Sequence, residues 1–370
     1  MTVTAQIKLV PSAEQFSLLM ATLEAMNLGC NKISSLAYHE QFFDRKTIHH
    51  LSYYTVRRAF GLKAQMAVRC IGKVVDAYKV RARRSKGNID SMRIFRLRGA
   101  VPYDCRMLGF DLKNDQLSIL TLEGREIMPF QVGGPARAIM QYQKGESDLF
   151  YRNGVFYLNV CCQLPEEDLI THQDMIGIDL GICQLATTSE GRSFDGAGVE
   201  KVHKKNQKQR AGLQKKGTRA AKRKLKKVSG REKRFKRNEN HIISKQIVSE
   251  AKRTGSGIAM EDLSGIRERQ RVSKRQRARF SGWAFSQLRF FIYYKARLAG
   301  VPVFFVPPEY TSQRCHQCGH IEKKNRRSQS EFKCCQCAHR DHADKNAAKN
   351  IKLLGCRQSA KGRIAGFMRQ

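Results

Sequence analysis

Met175-Ile-Gly-Ile-Asp-Leu-Gly181 is an apolar run that carries a single carboxylate, Asp179, between two glycines. Its apolar residues are continuous rather than alternating, which predicts a strand buried on both faces. Gly177 and Gly181 flank the acid and let backbone and phosphate come close. Outward from this strand the chain reads as Gln184-Leu-Ala-Thr-Thr188, a turn at Ser189-Glu-Gly191, a helix over roughly 239–253, and a strand Gly257-Ile-Ala-Met-Glu261. An amphipathic helix from Trp283 to Leu298 follows, then a strand Val301–Val306, then a helix opened by Asp344 in Asp344-Lys-Asn-Ala-Ala-Lys-Asn-Ile351. Trp283, Phe285, Leu288, Phe291 and Ile292 are read as packing residues of that amphipathic helix.

The order β-hairpin, helix, strand, helix, strand, helix fits an RNase H-like sheet. Asp179 and Glu261 end two of its strands and Asp344 begins its last helix. Any one of these acids is explained as a cap or as the partner of a lysine. Three converging on one point meet a different need. Mg²⁺ (or Mn²⁺) takes hard carboxylate oxygens and keeps waters for substrate phosphates. Two such ions would clamp the attacking and leaving oxygens of a phosphoryl displacement. Asp262 and Asp341 lie beside the presumed ligands and are assigned supporting or capping roles.

Five of the 12 cysteines fall between Cys315 and Cys337. Cys315-His-Gln-Cys318 and Cys334-Cys-Gln-Cys337 are two C-x-x-C pairs separated by about fifteen residues, a spacing that suits tetrahedral zinc. The ligands read as Cys315, Cys318, Cys334 and Cys337, with Cys335 spare and His316 or His320 as substitutes for one thiolate. Four thiolates leave no open position, so the zinc is expected to be structural. The other seven cysteines read as small buried hydrophobes.

The chain of 370 residues carries a formal net charge of +37, which calls for a polyanionic partner. From 201 to 237 there are 18 Lys or Arg against one acid, Glu232. A second basic loop covers about 266–279. No apolar run is long enough to span a bilayer, and Met1-Thr-Val-Thr-Ala5 lacks a signal-peptide pattern; both point to a cytoplasmic, nucleoid-associated protein without membrane contact. Residues 3–9 alternate as a half-buried strand. Ser12 and Gln15 form a capping-box pattern, and Phe16, Leu19, Leu23, Met26, Cys30, Ile33 and Ala37 trace one helix face. A second helix is expected over about 54–82. Short β-rich runs fill 85–170, enough for a barrel or sandwich that includes the first strand.

With Asp179, Glu261, the paired cysteines and Asp344 in this order, the chain resembles TnpB, the nuclease of bacterial insertion sequences related to type V CRISPR effectors. The resemblance extends to Met260-Glu-Asp-Leu263, Tyr310-Thr-Ser-Gln-Arg-Cys-His-Gln-Cys-Gly319, Phe332-Lys-Cys-Cys-Gln-Cys337 and the opening Lys8-Leu-Val-Pro-Ser12. It implies a multidomain α+β protein: a β-barrel wedge domain (1–10 and 85–170), an inserted helical recognition domain (11–84), an RNase H-like RuvC nuclease domain (171–310 and 341–370), and a zinc-ribbon insert (311–340). Asp179, Glu261 and Asp344 become the catalytic, magnesium-binding carboxylates. A guide RNA from the element's end would pair with double-stranded DNA beside a short motif, and the same element would encode a partner transposase. Candidate nucleic-acid contacts are Arg57, Arg58, Lys63, Arg69 and Lys73, then Lys222, Arg223, Lys226, Arg234 and Arg237 on a helical arm, then Lys323 and Arg326 in the loop between the cysteine pairs. One departure is Ala338, where the family usually has Gly after the last cysteine. The alternatives are a guided DNA-binding repressor that does not cut, a carboxylate-type transposase acting without RNA, and a miniature CRISPR effector.

Overall fold

A computed structural model describes residues 1–84, 89–172, 174–181, 183–262 and 285–360. Trp283, the basic loop at about 266–279 and the last residues of the expected nuclease domain therefore lie outside the described residues. The chain divides into two units, Met1–Pro165 and Glu166–Gln370.

The first unit begins with strand β1 (Thr2–Leu9). Helix α1 (Ala13–His39) follows, and its Ser12–Gln15 capping box forms in full. The expected single helix over 54–82 is two helices, α2 (Arg45–Phe60) and α3 (Ala64–Arg84). Asp44 caps the first, accepting from the Thr47 N–H at 2.9 Å. Gly61 ends it at φ +64°, a left-handed conformation that costs glycine little. The periodicity carries across this break because Val56, Leu62 and Met66 all reach the same core.

Six further strands complete a seven-stranded sheet: β2 (Val101–Tyr103), β3 (Leu108–Asp111), β4 (Gln116–Leu120), β5 (Arg125–Gln131), β6 (Ser147–Arg152) and β7 (Val155–Gln163). A short helix α4 (Gly134–Met140), which the sequence reading missed, sits between β5 and β6. The sheet order is β2-β6-β7-β1-β5-β4-β3, with β1 antiparallel to both neighbours. No pairing joins β2 to β3 among the described residues, so the ladder is open where a closed barrel was expected. The helices and the sheet share one core: Leu19, Met26 and Val74 belong to the same apolar cluster as Ile7, Leu158 and Val160.

The second unit is built on a five-stranded sheet of order β10-β9-β8-β11-β12. Its strands are β8 (Asp174–Asp179), β9 (Gln184–Thr188), β10 (Ser193–Asp195), β11 (Ser256–Glu261) and β12 (Val303–Val306). β8, β11 and β12 are parallel, and β9 and β10 add antiparallel. Helices α5 (Ala197–Lys216), α6 (Arg219–Val228) and α7 (Arg231–Arg253) form the crossover from β10 to β11. The basic stretch is thus helical apart from breaks at 217–218 and 229–230, and α7 starts eight residues before the expected 239. Glu232 on α7 accepts from Lys236 and meets His203 of α5 at 2.6 Å, which ties the arm together. Helix α8 (Phe285–Leu298) buries Leu288, Phe291 and Ile292 as expected. Helix α9 (Ala343–Ser359) packs on β8. Of the seven scattered cysteines, Cys105 and Cys183 are exposed, contrary to expectation, because each lies in a turn rather than on an inward strand position.

Candidate nuclease and zinc sites

Strand register brings the first two acids together. Met260 lies beside Ile178 in the parallel pairing of β11 with β8, so Glu261 follows at the same end of the sheet as Asp179. The third acid arrives on α9, and glycine sets how closely. A Cβ on Gly177 would fall 2.1 Å from the Ala348 carbonyl oxygen and 2.4 Å from the Lys352 nitrogen. One on Gly355 would fall 2.5 Å from the Ala259 Cβ. Helix and sheet backbones therefore touch directly, and Asp344 in the first turn of α9 is lowered onto the strand ends. This corrects the reading of Gly177: it admits a helix rather than a phosphate. Gly181 is also crowded, with its Cβ position 2.6 Å from the Gln184 carbonyl oxygen.

The electrostatics record the convergence. Desolvation pushes the Asp179 carboxyl up to about 8, and the negative charges of Glu261 and Asp344 add to that shift while Arg326 opposes it. Burial raises Glu261 as well; the Thr311 hydroxyl, which donates to Glu261 Oε1, works against the rise, and Glu309 works with it. Asp344 is 4% exposed. Its Oδ1 accepts from Arg326 Nη2 at 2.9 Å, and its backbone N–H donates to His342 Nδ1, the cap of α9, at 3.3 Å. Asp262 turns away from this group and pairs with Arg289 at 3.0 Å.

Arg326 was expected to contact nucleic acid from the basic loop between the cysteine pairs; its guanidinium is bonded to Asp344. Thr311 and Glu309 were missed altogether. Thr311 stands inside the quoted Tyr310–Gly319 motif, but a hydroxyl directed at a carboxylate leaves no periodicity to read.

The cysteine group forms as the spacing required. The sulphurs of Cys315, Cys318, Cys334 and Cys337 lie within 4.8 Å of one another. Cys315 and Cys337 are 3.7 Å apart and Cys318 and Cys334 are 3.5 Å apart. Zn–S bonds of about 2.3 Å at tetrahedral angles put sulphurs roughly 3.8 Å apart, so the group can hold zinc. Cys335 stays outside it, exposed, with its N–H on Asn325 Oδ1. His320 faces Glu322 and His316 faces Asn346 rather than the sulphurs. The two knuckles match: the Cys315 N–H donates to His320 O and the Cys334 N–H to His339 O, both at 2.9 Å. Each turns through a left-handed residue, Gly319 at φ +80° and Ala338 at φ +57°. The departure at Ala338 thus sits where glycine is favoured and keeps the turn.

Among the expected nucleic-acid contacts, Arg58, Lys63, Lys222, Arg223, Lys226, Arg234, Arg237 and Lys323 are exposed. Three others are engaged within the fold. Arg57 donates to the Leu62 carbonyl and lies over the Tyr53 ring. Arg69 pairs with Asp104 and Glu146. Lys73 donates to Asn27 and to the Ala100 carbonyl. Arg57 ties α2 to the turn that follows it, and Arg69 and Lys73 tie α3 to its surroundings, because half-buried cations take the nearest acceptors.

Two family models match in chain order. One, described as "Probable transposase", covers residues 159–267, and the other, a "Cas12f1-like, TNB domain", covers 285–351. Over these segments the chain is similar to TnpB-like proteins and Cas12f1. A CRISPR-associated endodeoxyribonuclease Cas12f1 of Sulfoacidibacillus thermotolerans is 31% identical over 60% of this chain and 57% of its own. A putative RNA-guided DNA endonuclease, InsQ, of Escherichia coli is 31% identical over 49% of each chain. A TnpB-like protein of Methanocaldococcus jannaschii is 42% identical over 33% of this chain and 45% of its own. The matched part therefore spans about half the length of these relatives. Among solved structures, the mini-RNA-guided endonuclease CRISPR-Cas_phi3 superposes with a TM-score of 0.61 at 9% identity, covering 96% of this chain and 92% of that one. CasPhi-2 (Cas12j) bound to crRNA gives 0.54 at 10% identity, covering 96% and 98%. At such identities the likeness is one of fold. No helix among the described residues is long and apolar enough to cross a membrane.

Proposed function

We propose that this TnpB-like chain is an RNA-guided DNA endonuclease that hydrolyses target phosphodiesters at Asp179, Glu261 and Asp344. The observation that carries the reading is that Asp179 at the end of β8 is desolvated and held up by the negative charges of Glu261 on β11 and Asp344 on α9, with Arg326 bonded to Asp344. Such an arrangement is costly unless a cation completes it. Hard oxygen donors of this kind fit Mg²⁺ or Mn²⁺. A bound divalent ion would supply Lewis acidity to the scissile phosphate and a nucleophilic hydroxide from water. The residues do the rest. Asp179, held up to about 8 by burial and its acidic neighbours, would serve as an anionic ligand once deprotonated. Thr311 holds the Glu261 carboxylate in one orientation. Arg326 compensates Asp344 and stands where it can donate to a phosphate oxygen.

In this reading the sheet and helices of Met1–Pro165 act as the wedge and recognition domains, the five-stranded sheet as the RuvC domain, and the cysteine knuckles as a structural zinc ribbon. The exposed cations on α6 and α7 lie along the guide–target heteroduplex, which such proteins recognise by shape and backbone. Guide RNA, double-stranded DNA, Mg²⁺ and zinc are then the partners and cofactors, with a partner transposase supplied by the same element.

The test has two stages. RNA that copurifies with the chain is sequenced, and a plasmid carrying the matching target is incubated with protein, guide and Mg²⁺. Cleavage lost in Asp179→Ala supports the proposal. Cleavage that survives the substitution overturns it. Guided binding without cutting by the intact protein makes it a repressor, and element-end binding without RNA makes it a transposase.

A further inference from the structure

We infer a second transition-metal site beside the thiolate group, formed by His316, His339 and Asp341. One ligand atom from each of the three lies within 4.8 Å of the others. None belongs to the four-sulphur set, and the inference does not depend on the nuclease reading.

The hydrogen-bond network determines which nitrogen of His316 is available. Asn346 Nδ2 donates to the Arg314 carbonyl at 2.8 Å, so Asn346 Oδ1 is an acceptor. It receives the His316 backbone N–H at 3.1 Å and lies 3.1 Å from His316 Nδ1. Nδ1 is therefore protonated, and in the neutral ring Nε2 keeps its lone pair. Metal-bound histidines are ordinarily fixed this way, with the far N–H donated to an oxygen acceptor. The His339 ring stands edge-on to His316 with centroids 4.6 Å apart. Its Nε2 is buried and makes no hydrogen bond, although it lies 3.9 Å from Asp341 Oδ2. A buried imidazole nitrogen without a partner, aimed at a carboxylate and a second imidazole, is a group waiting for a cation.

A cation already stands there. Lys349 Nζ is 2.7 Å from Asp341 Oδ2 and 3.4 Å from His316 Nε2. Its side chain is 29% exposed, so it can turn outward and yield the place. Tetrahedral zinc with bonds near 2.1 Å needs ligand atoms roughly 3.4 Å apart, a contraction of up to about 1.4 Å from the present limit of 4.8 Å. Two imidazoles and one carboxylate with water in the fourth position are a set that Zn²⁺ accepts. Asp341 lies three residues before Asp344 and Asn346 two after it. An ion here would pin both knuckles to the first turn of α9.

The experiment measures metal content of the full chain, loaded with zinc and dialysed against Mg²⁺ to occupy the carboxylates. Two zinc ions per chain are expected, falling to one in His339→Ala and in Asp341→Asn. Lys349→Met should retain the second ion more tightly than the native chain. With cobalt the thiolate charge-transfer band reports the four-sulphur site. It should persist in both depleted variants, while the weaker d–d absorption of the second ion disappears. One zinc in the native chain overturns the inference, as do two zinc ions in all of the variants.

Discussion

Replacing Asp179 with Asn tests the acid cluster without cutting any nucleic acid. The folded carboxyl titrates at about 8 against 3.8 for an ordinary aspartate. A raised folded value means stability that is complete below about pH 4 and is lost as pH climbs through 8, because the unfolded chain sheds a proton that the folded site retains. At pH 7 the gap is about three units, or about 4 kcal/mol at 1.36 kcal/mol per unit. Asn has nearly the same shape and nothing to ionise. In a metal chelator at pH 7, Asp179→Asn should be the more stable by up to about 4 kcal/mol. For a unit of this size that is about 8–16 °C in melting temperature. At about pH 3 the two proteins should melt nearly together, since the native carboxyl is then mostly neutral in both states. Mg²⁺ should raise the native melting temperature and leave the variant's nearly unchanged. Calorimetry at both pH values, with chelator and with Mg²⁺, decides it. A melting difference that does not change with pH, or a Mg²⁺ response that survives in the variant, would refute the reasoning.

The same titration predicts that calorimetric Mg²⁺ affinity strengthens as pH rises towards 8 and that binding releases a proton, because the metal must displace the one on Asp179; buffers of different ionisation enthalpy reveal that proton as a difference in apparent binding heat. Gly177→Ala forces a methyl against the α9 backbone and should cost several kcal/mol, seen as reduced soluble yield and an early thermal transition. Ala338→Gly relieves a left-handed alanine and should stabilise the zinc-loaded ribbon by about 1 kcal/mol, measured as slower zinc loss to a competing chelator. Thr311→Val removes the hydroxyl that orients Glu261; cleavage should fall about tenfold or more at limiting Mg²⁺ and partly recover at high Mg²⁺.

Local chemistry decided most of the elements. The Ser12 capping box, the apolar runs of β8 and β11 and the two C-x-x-C knuckles are each specified by neighbours a few residues away, and each formed as read. The break at Gly61 was harder to see, because the burial stripe of α2 and α3 serves one core and so keeps its spacing through the turn. What the tertiary structure alone decided is which distant side chains meet. Strand register aligned Glu261 with Asp179, and close contacts at Gly177 and Gly355 set the approach of α9. The fold of the cysteine knuckles carried Arg326 from its loop to Asp344. Packing within the first unit used up Arg57, Arg69 and Lys73, cations that composition alone counts as free. A sequence records the charge and shape of each group. Which opposite charge lies within 3 Å depends on contacts between residues tens or hundreds of positions apart, and those exist only once the chain has packed.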